Sequence, residues 1–200
     1  MLFRSQHLWT TPFAAAYVAL AGVALIAMVV ISLVTFPPVP AKKPGAGGGR
    51  PLSEIMRQPV FIVSTAAAAL GYGVMNITMS ASPIAMQVCG HPFSDAALVL
   101  EWHVIGMFAP GFFTGQLIKR YGAVTILAVG VVLNLICIAV ALSGVDVMHF
   151  LISMFLVGVG WNFLFTAGTA LSLQAYRPEE KDKAQGAINF CVFAVMMVTS

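Results

Sequence analysis

Two ionisable residues, Glu101 and His103, lie in an otherwise apolar stretch, LVLEWHVIGMF at residues 98–108. In lipid each of them is costly, and an intramembrane carboxylate usually marks an ion path or a proton relay. The two side chains are about 200° apart around a helix, so they do not pair with each other. We predict proton coupling through Glu101, with His103 as a second candidate. The alternatives are a Glu101 that reaches the headgroups and a His103 that bonds a neighbouring helix.

Four further residues combine aromatic rings with amides in apolar surroundings: Tyr72, Asn76, Trp161 and Asn162. An aromatic ring beside an amide suits a planar organic solute that forms hydrogen bonds. We therefore predict that these residues bind such a solute. The alternative is that they join helices, because polar side chains often form interhelical hydrogen bonds in membranes.

The two segments that carry these residues resemble each other. GYGVMNITMS at 71–80 and GVGWNFLFTAG at 158–168 each contain Gly-x-Gly, then Asn, then Thr or Ser. Inverted repeats with glycine-interrupted segments are typical of secondary transporters. The alternative is that Gly and Asn simply recur in membrane helices. Asn134 and Asn189 are expected to pack between helices.

The composition indicates a membrane protein. Hydrophobic residues make up 60% of the 200 residues and charged residues only 8%, whereas soluble domains carry about a quarter charged residues. No basic patch with interleaved aromatics is present, which argues against a nucleic-acid partner. The three cysteines, Cys89, Cys137 and Cys191, have no metal-ligand or redox spacing, and hydrolase and phosphate-binding motifs are absent. We therefore expect no metal, no cofactor and no enzymatic activity.

Long runs with few or no charges predict transmembrane helices, which need roughly 20 apolar residues each. Five runs meet that length and a sixth continues to the last residue: 13–36, 59–86, 96–118, 122–145, 150–174 and 184–200. The predicted fold class is an all-α, polytopic membrane protein whose partner is the lipid bilayer.

The lysines and arginines alternate strictly between these runs. Nine of the ten follow the first, third or fifth run: Lys42, Lys43, Arg50, Arg57, Lys119, Arg120, Arg177, Lys181 and Lys183. The tenth, Arg4, precedes the first run. Because cytoplasmic loops carry an excess of Lys and Arg, we predict a multi-pass inner-membrane protein with an extracytoplasmic N-terminus.

The connection after the first run is long, basic and rich in Pro and Gly, which is typical of linkers. We therefore divide the chain into three parts. Residues 1–37 hold the first transmembrane helix, residues 38–58 form a cytoplasmic linker, and residues 59–200 form a helical bundle that ends within its fifth helix.

The segment GQLIKRYG at 115–122 resembles the cytoplasmic-loop motif G-x-L-x-D-[RK]-x-G of the major facilitator superfamily. Gly115, Leu117, Arg120 and Gly122 match the motif, whereas Lys119 replaces its acidic residue. The resemblance implies that the matching residues have a gating role at the helix ends, without the acidic contact. The stretches WHVIGMFAPGFFTGQLIKRYG and GVGWNFLF also resemble a bacterial branch of the superfamily that includes riboflavin transporters.

By this resemblance the six runs correspond to transmembrane helices six to eleven of a twelve-helix transporter that uses alternating access. The intact protein would move a small organic solute, and the missing N-terminal bundle would be a partner of this chain. The chain is then expected to be a fragment, or the product of a truncated gene, and inactive alone. A membrane scaffold or assembly protein is the main alternative. An intramembrane enzyme is disfavoured because Glu101 and His103 point apart.

The topology prediction can be tested with an epitope tag inserted at Gly47. We expect the tag to react with antibody only after the membrane is permeabilised, because the linker is predicted to be cytoplasmic. A tag at the N-terminus should react on intact spheroplasts, from which the outer membrane has been removed, and serves as the control. Labelling of the Gly47 tag on intact spheroplasts would overturn the topology.

Overall fold

The computed structural model describes residues 14–35 and 49–200, which belong to two separate units. The first unit, residues 1–46, contains helix α1, Ala14–Leu33. None of its 20 residues is charged and none is buried. A helix that is apolar on every side suits hydrocarbon, so α1 fits the first predicted span. Residues 1–13 and 36–48, which include Arg4 and most of the predicted linker, lie outside the described residues.

The second unit, residues 47–200, is a helical bundle. Its described part, residues 49–200, contains no β-strand. Its helices are α2 (Leu52–Met56), α3 (Pro59–Val88), α4 (Phe93–Phe108), α5 (Gly111–Tyr121), α6 (Ala123–Ser143), α7 (Val147–Ser172) and α8 (Lys181–Val198), with a 3-10 turn at Pro178–Glu180 before α8.

The helices confirm the predicted all-α membrane fold. In the described residues α1, α3, α6 and α7 are long and apolar enough to cross a membrane, and α4 with α5 meets the same criterion when the bent pair is taken as one span. The sixth predicted run corresponds to α8. Helix α8 is not apolar enough to count as a membrane span by the same criterion, because its first turn holds the charged residues Lys181, Asp182 and Lys183.

Helix α7 lies at the centre of the bundle and packs against α3, α4 and α6. Its approach to α4 is close enough that both helices need glycine. A Cβ atom on Gly158 would lie 2.6 Å from the His103 carbonyl oxygen, and one on Gly106 would lie 2.7 Å from the Phe155 carbonyl oxygen. Small residues let helix backbones approach closely in lipid, where van der Waals contact contributes strongly to association.

The two Gly-x-Gly pairs are packing positions and do not interrupt their helices. Helix α3 runs continuously through Gly71 and Gly73, and α7 runs continuously through Gly158 and Gly160. A Cβ atom on Gly71 would lie 3.2 Å from Leu164 Cβ, so this glycine lies against α7. The sequence echo between α3 and α7 therefore reflects contact surfaces rather than broken segments.

The predicted third span is divided at Pro110. Helices α4 and α5 are bent by 40° relative to each other, with Ala109 and Pro110 between them. A proline removes one backbone donor and its ring disturbs the preceding turn, so a bend follows at this position.

Helix α2 packs on the bundle although it lies in the predicted linker. Ile55 is fully buried in a core cluster with Phe61, Ala175, Tyr176 and Ala184. These partners belong to α3, to the segment between α7 and α8, and to α8. The described end of the linker, from Gly49 onward, is therefore attached to the bundle at the junction of α7 and α8.

Candidate functional site

Aromatic rings from α3, α4 and α7 meet on one side of α7. The edge of Tyr72 contacts the ring of Trp161 at 5.2 Å between centroids and 87° between planes. Phe165 lies parallel to Trp161 at 5.4 Å and edge-on to Tyr72 at 5.4 Å, and Phe108 of α4 approaches Trp161 at 6.4 Å. We call these four residues the aromatic cluster. Offset and edge-to-face contacts at such distances are favourable for aromatic pairs.

The structure brings together two of the predicted solute-binding residues, Tyr72 and Trp161. Trp161 is 7% exposed, and its indole N–H is buried without a hydrogen-bond partner in the part of the chain that the structure describes. A buried indole N–H normally has a partner. This donor is therefore available to a group that enters the cluster.

Asn162 lies beside Trp161 but connects helices. Its Nδ2 donates to the Met107 carbonyl oxygen at 2.7 Å. The Thr114 hydroxyl lies 2.7 Å from Asn162 Oδ1 and 2.7 Å from the Pro110 carbonyl oxygen, and shares its proton between them. In an unbroken helix the Met107 carbonyl would accept from residue 111. Asn162 therefore supplies a donor that the bend removes, and joins both sides of the bend to α7.

Asn76 connects α3 to the end of α8. Its Nδ2 lies 3.4 Å from the Met196 carbonyl oxygen, 3.3 Å from Thr199 Oγ1 and 3.2 Å from Ser200 Oγ. It lies one helical turn beyond Tyr72, on the same face of α3. The amide oxygen has no recorded partner in the described residues, so Asn76 retains one acceptor for a solute.

Glu101 and His103 lie on different sides of α4, as the spacing predicts. His103 is fully buried, and its Nδ1 donates to the Met154 carbonyl oxygen at 2.8 Å. A carbonyl only accepts, so Nδ1 carries a proton; Nε2 has no partner in residues 49–200. Glu101 is exposed on the outer side of the bundle. His103 thus forms the interhelical bond that was the alternative for it.

The loop-motif residues lie at the end of α5. Gly122 has φ 86°, a left-handed conformation that favours glycine, and it separates α5 from α6. Leu117 packs against the cluster of α6 and α7 residues around Leu127 and Leu164. Arg120 is exposed and lies 5.3 Å from the ring centre of Tyr121, whereas Gly115 faces open space.

An ion pair that the sequence analysis did not identify attaches the linker to α8. The Arg50 guanidinium contacts the Glu180 carboxylate at 2.7 Å and 3.0 Å, and the Arg50 backbone N–H donates to it at 2.7 Å. The Arg177 backbone N–H adds a bond of 3.0 Å. These donors hold the pKa of Glu180 well below its ordinary value, and the carboxylate raises the pKa of Arg50. Gly49 has φ 64°, and a Cβ there would lie 2.5 Å from Glu180 Cγ.

A cavity of about 260 Å³ lies between α3, α7 and α8, next to the aromatic cluster. Tyr72 and Phe165 form part of its wall, and Gln185 and Asn189 of α8 form another part. Phe165 and Gln185 are not among the predicted site residues, and Asn189 was predicted to pack between helices. The available signal was the spacing of Gln185 and Asn189, which places two amides one turn apart on one face of a helix.

The comparisons with known proteins agree with this architecture. The profile of the Major Facilitator Superfamily matches residues 5–200. The chain therefore belongs to the major facilitator superfamily, a family of membrane transporters rather than enzymes, and the predicted family is confirmed.

The chain also matches individual proteins of this superfamily. The chain is 43% identical to "Riboflavin transporter RfnT" of Brucella anthropi over 190 residues, which cover 94% of this chain and 48% of that protein. It is 33% identical to YddS and 30% identical to YdeG, two uncharacterized MFS-type transporters of Bacillus subtilis, over 58% and 60% of this chain and 27% and 28% of theirs. The chain thus spans less than half the length of these relatives. No solved structure matches it.

Loss of the Asn162 contacts should loosen the bend. We expect Asn162→Ala to lower the free energy of unfolding by roughly 1–3 kcal/mol, because interhelical hydrogen bonds in membranes contribute about 0.6–2 kcal/mol each. Reversible unfolding in mixed micelles measures the change. Asn134→Ala is the matched control, since Asn134 Nδ2 donates to Gly130 of its own helix and its loss should cost less. Equal costs for both variants would contradict the assignment.

The Arg50–Glu180 pair should make stability depend on pH in acid. The folded state favours the Glu180 carboxylate, so the pair's contribution is present above the ordinary pKa of 4.5 and is lost as pH falls toward the lower folded-state pKa. Thermal unfolding from pH 7 to pH 3 should show Glu180→Gln less stable than the parent at pH 7, with the difference shrinking below about pH 4. Glu179→Gln, at an exposed neighbour, should show no such trend. A constant difference at every pH would refute the ionic contribution.

Proposed function

We propose that this chain forms the C-terminal half of a bacterial secondary transporter that carries riboflavin, or a solute with a similar planar ring, across the inner membrane by alternating access. The observation that carries the proposal is the 43% identity to the riboflavin transporter of Brucella anthropi across 94% of the chain. The aromatic cluster supports it independently, because stacked rings with a free indole donor suit a planar heteroaromatic solute.

The solute is proposed to contact the side of the bundle that carries the aromatic cluster. Tyr72 and Trp161 would offer ring faces and a donor, and Asn76 would offer its free amide oxygen. Asn162 lies next to Trp161 on α7, but its amide oxygen is bonded to α5 and its amide nitrogen to α4. Its proposed contribution is to hold the bend next to the solute. It would contact the solute directly only if the solute replaced one of these hydrogen bonds.

The partner of this bundle is proposed to be an N-terminal bundle of the same transporter. Alternating access moves one bundle against another around a central site, and RfnT is about twice as long as the matched region. By the family resemblance α1 is the last helix of that first bundle. The loop residues Gly115, Leu117, Arg120 and Gly122 are proposed to stabilise one of the two conformations from the cytoplasmic side.

Proton coupling is proposed to run through Glu101. A carboxylate on a membrane helix is costly unless it faces a cavity or a partner, and Glu101 is exposed on this bundle. It is therefore placed to exchange protons with water or with the partner bundle. His103 is a second candidate through its free Nε2, although its Nδ1 bond to Met154 ties it to helix packing.

Reconstitution tests the function and the coupling separately. Protein expressed from the complete reading frame is placed in liposomes, and riboflavin flux is measured with and without a pH gradient. We expect accumulation driven by the gradient. Absence of riboflavin flux with correctly inserted protein would refute the proposed function. Flux that does not depend on the pH gradient would refute proton coupling alone.

Glu101→Gln tests the residue. We expect it to reduce gradient-driven flux to the rate seen without a gradient. The reason is that a glutamine amide, unlike a carboxylate, does not gain or lose a proton during transport. Asp95→Asn, at the start of the same helix, is the matched control and should retain coupling. Unchanged coupling in Glu101→Gln would exclude this residue.

A further inference from the structure

The cavity between α3, α7 and α8 combines an aromatic wall with an amide wall. Tyr72 and Phe165 lie on α3 and α7, and Phe165 is 36% exposed, so part of its ring is free to contact a ligand. Gln185 and Asn189 face the cavity from α8. Gly168, which also lines the cavity, marks a close approach of α7 to α3, since a Cβ there would lie 3.1 Å from the Ser64 carbonyl oxygen.

Three of the polar side-chain groups that line the cavity are already bonded within the protein. The Ser64 and Ser172 hydroxyls donate to carbonyl oxygens of their own helices at 3.0 Å and 2.8 Å. Gln185 Nε2 donates to the Tyr176 hydroxyl at 2.8 Å, which leaves its Oε1. Asn189 is exposed and has no recorded hydrogen bond within residues 49–200. Its amide therefore offers a free donor and a free acceptor side by side.

The size and charge of the cavity limit what it can hold. Pockets that enclose a whole drug-sized ligand measure about 300–1,000 Å³, so 260 Å³ accommodates part of such a molecule. None of the described residues that line it is charged. An ionised group would lose its hydration there without a counter-charge. The cavity therefore suits an uncharged, flat portion of a solute.

We propose that this cavity is the ring-binding subsite for the solute, with Asn189 as the residue that recognises the hydrogen-bonding edge of the ring. This proposal rests on the proposed transport of a riboflavin-like solute. The isoalloxazine ring of such a solute has an imide edge, in which one N–H lies between two carbonyl oxygens. The Asn189 carbonyl accepts from that N–H while its NH₂ group donates to a neighbouring carbonyl, and the ring lies against Phe165. The ribityl chain, or any charged extension of it, lies outside this cavity.

Three flavins separate ring recognition from tail recognition. Riboflavin has the ring and the ribityl chain, lumiflavin has the same ring with a methyl group in place of the chain, and 3-methylriboflavin has the imide N–H blocked. Binding is measured by quenching of flavin fluorescence on the purified protein from the complete reading frame. Riboflavin uptake into liposomes is measured in parallel.

Asn189→Ala should weaken the binding of riboflavin and of lumiflavin by the same factor, about five- to tenfold. This factor corresponds to the loss of one or two ligand hydrogen bonds. The variant should leave the affinity for 3-methylriboflavin unchanged, because the methyl group removes the N–H and sterically keeps the Asn189 amide from the neighbouring carbonyl as well. The parent protein should bind 3-methylriboflavin more weakly than riboflavin by a similar factor.

Phe165→Ala should weaken the binding of all three flavins about fivefold or more, because the stacking of the ring on an aromatic side chain is lost. Phe190→Ala is the matched control, because Phe190 lies on α8 next to Asn189 but is 75% exposed and outside the cavity wall. It should leave all three affinities unchanged.

The outcomes distinguish this inference from the transport proposal. If Asn189→Ala weakens riboflavin but not lumiflavin, Asn189 contacts the chain and the inference is wrong. It is also wrong if no affinity changes in either cavity variant, or if the parent protein binds none of the flavins. If the parent binds flavins with the expected pattern but does not transport riboflavin, the ring subsite stands and the transport proposal fails.

Discussion

Backbone contact between α4 and α7 is the constraint on which the rest of the bundle depends. In lipid the hydrophobic effect does not drive helices together, so their association relies on close packing and on interhelical hydrogen bonds. Gly106 and Gly158 remove the side chains that would separate the two backbones. The same approach brings His103 within reach of the Met154 carbonyl. With α7 held in this way, its opposite faces are free to contact α3 and α6.

The bend at Pro110 is stable because α7 supplies the partners that the break removes. A carbonyl left without a partner in hydrocarbon costs several kcal/mol, and the Met107 carbonyl receives its donor from Asn162 instead of from its own helix. Thr114 closes the other side of the break. One side chain on α7, Asn162, thus holds the helices on both sides of the break. Trp161, the preceding residue on α7, lies in the aromatic cluster, so the bend and the cluster are held by the same turn.

Composition and the spacing of charges were sufficient to predict the membrane class and the helix runs, because lipid requires long apolar segments. The bend in the third span coincides with one residue, Pro110, which removes a helix donor. The roles of individual polar residues did not follow. In the sequence, Asn162 and Tyr72 are both polar residues in apolar helices. Only the packing shows that Asn162 is bonded at both ends of its amide, whereas Tyr72 lies beside a cavity. Arg50 and Glu180 are 130 residues apart, and no local pattern indicates that they meet.

The Arg50–Glu180 ion pair connects the start of the described bundle to the beginning of α8. The chain enters the described bundle at Gly49, and Glu180 is the N-cap residue of α8. The ion pair thus tethers the segment before α2 to the start of the helix that carries Gln185 and Asn189, so the entry point of the chain and this wall of the cavity are held at one position.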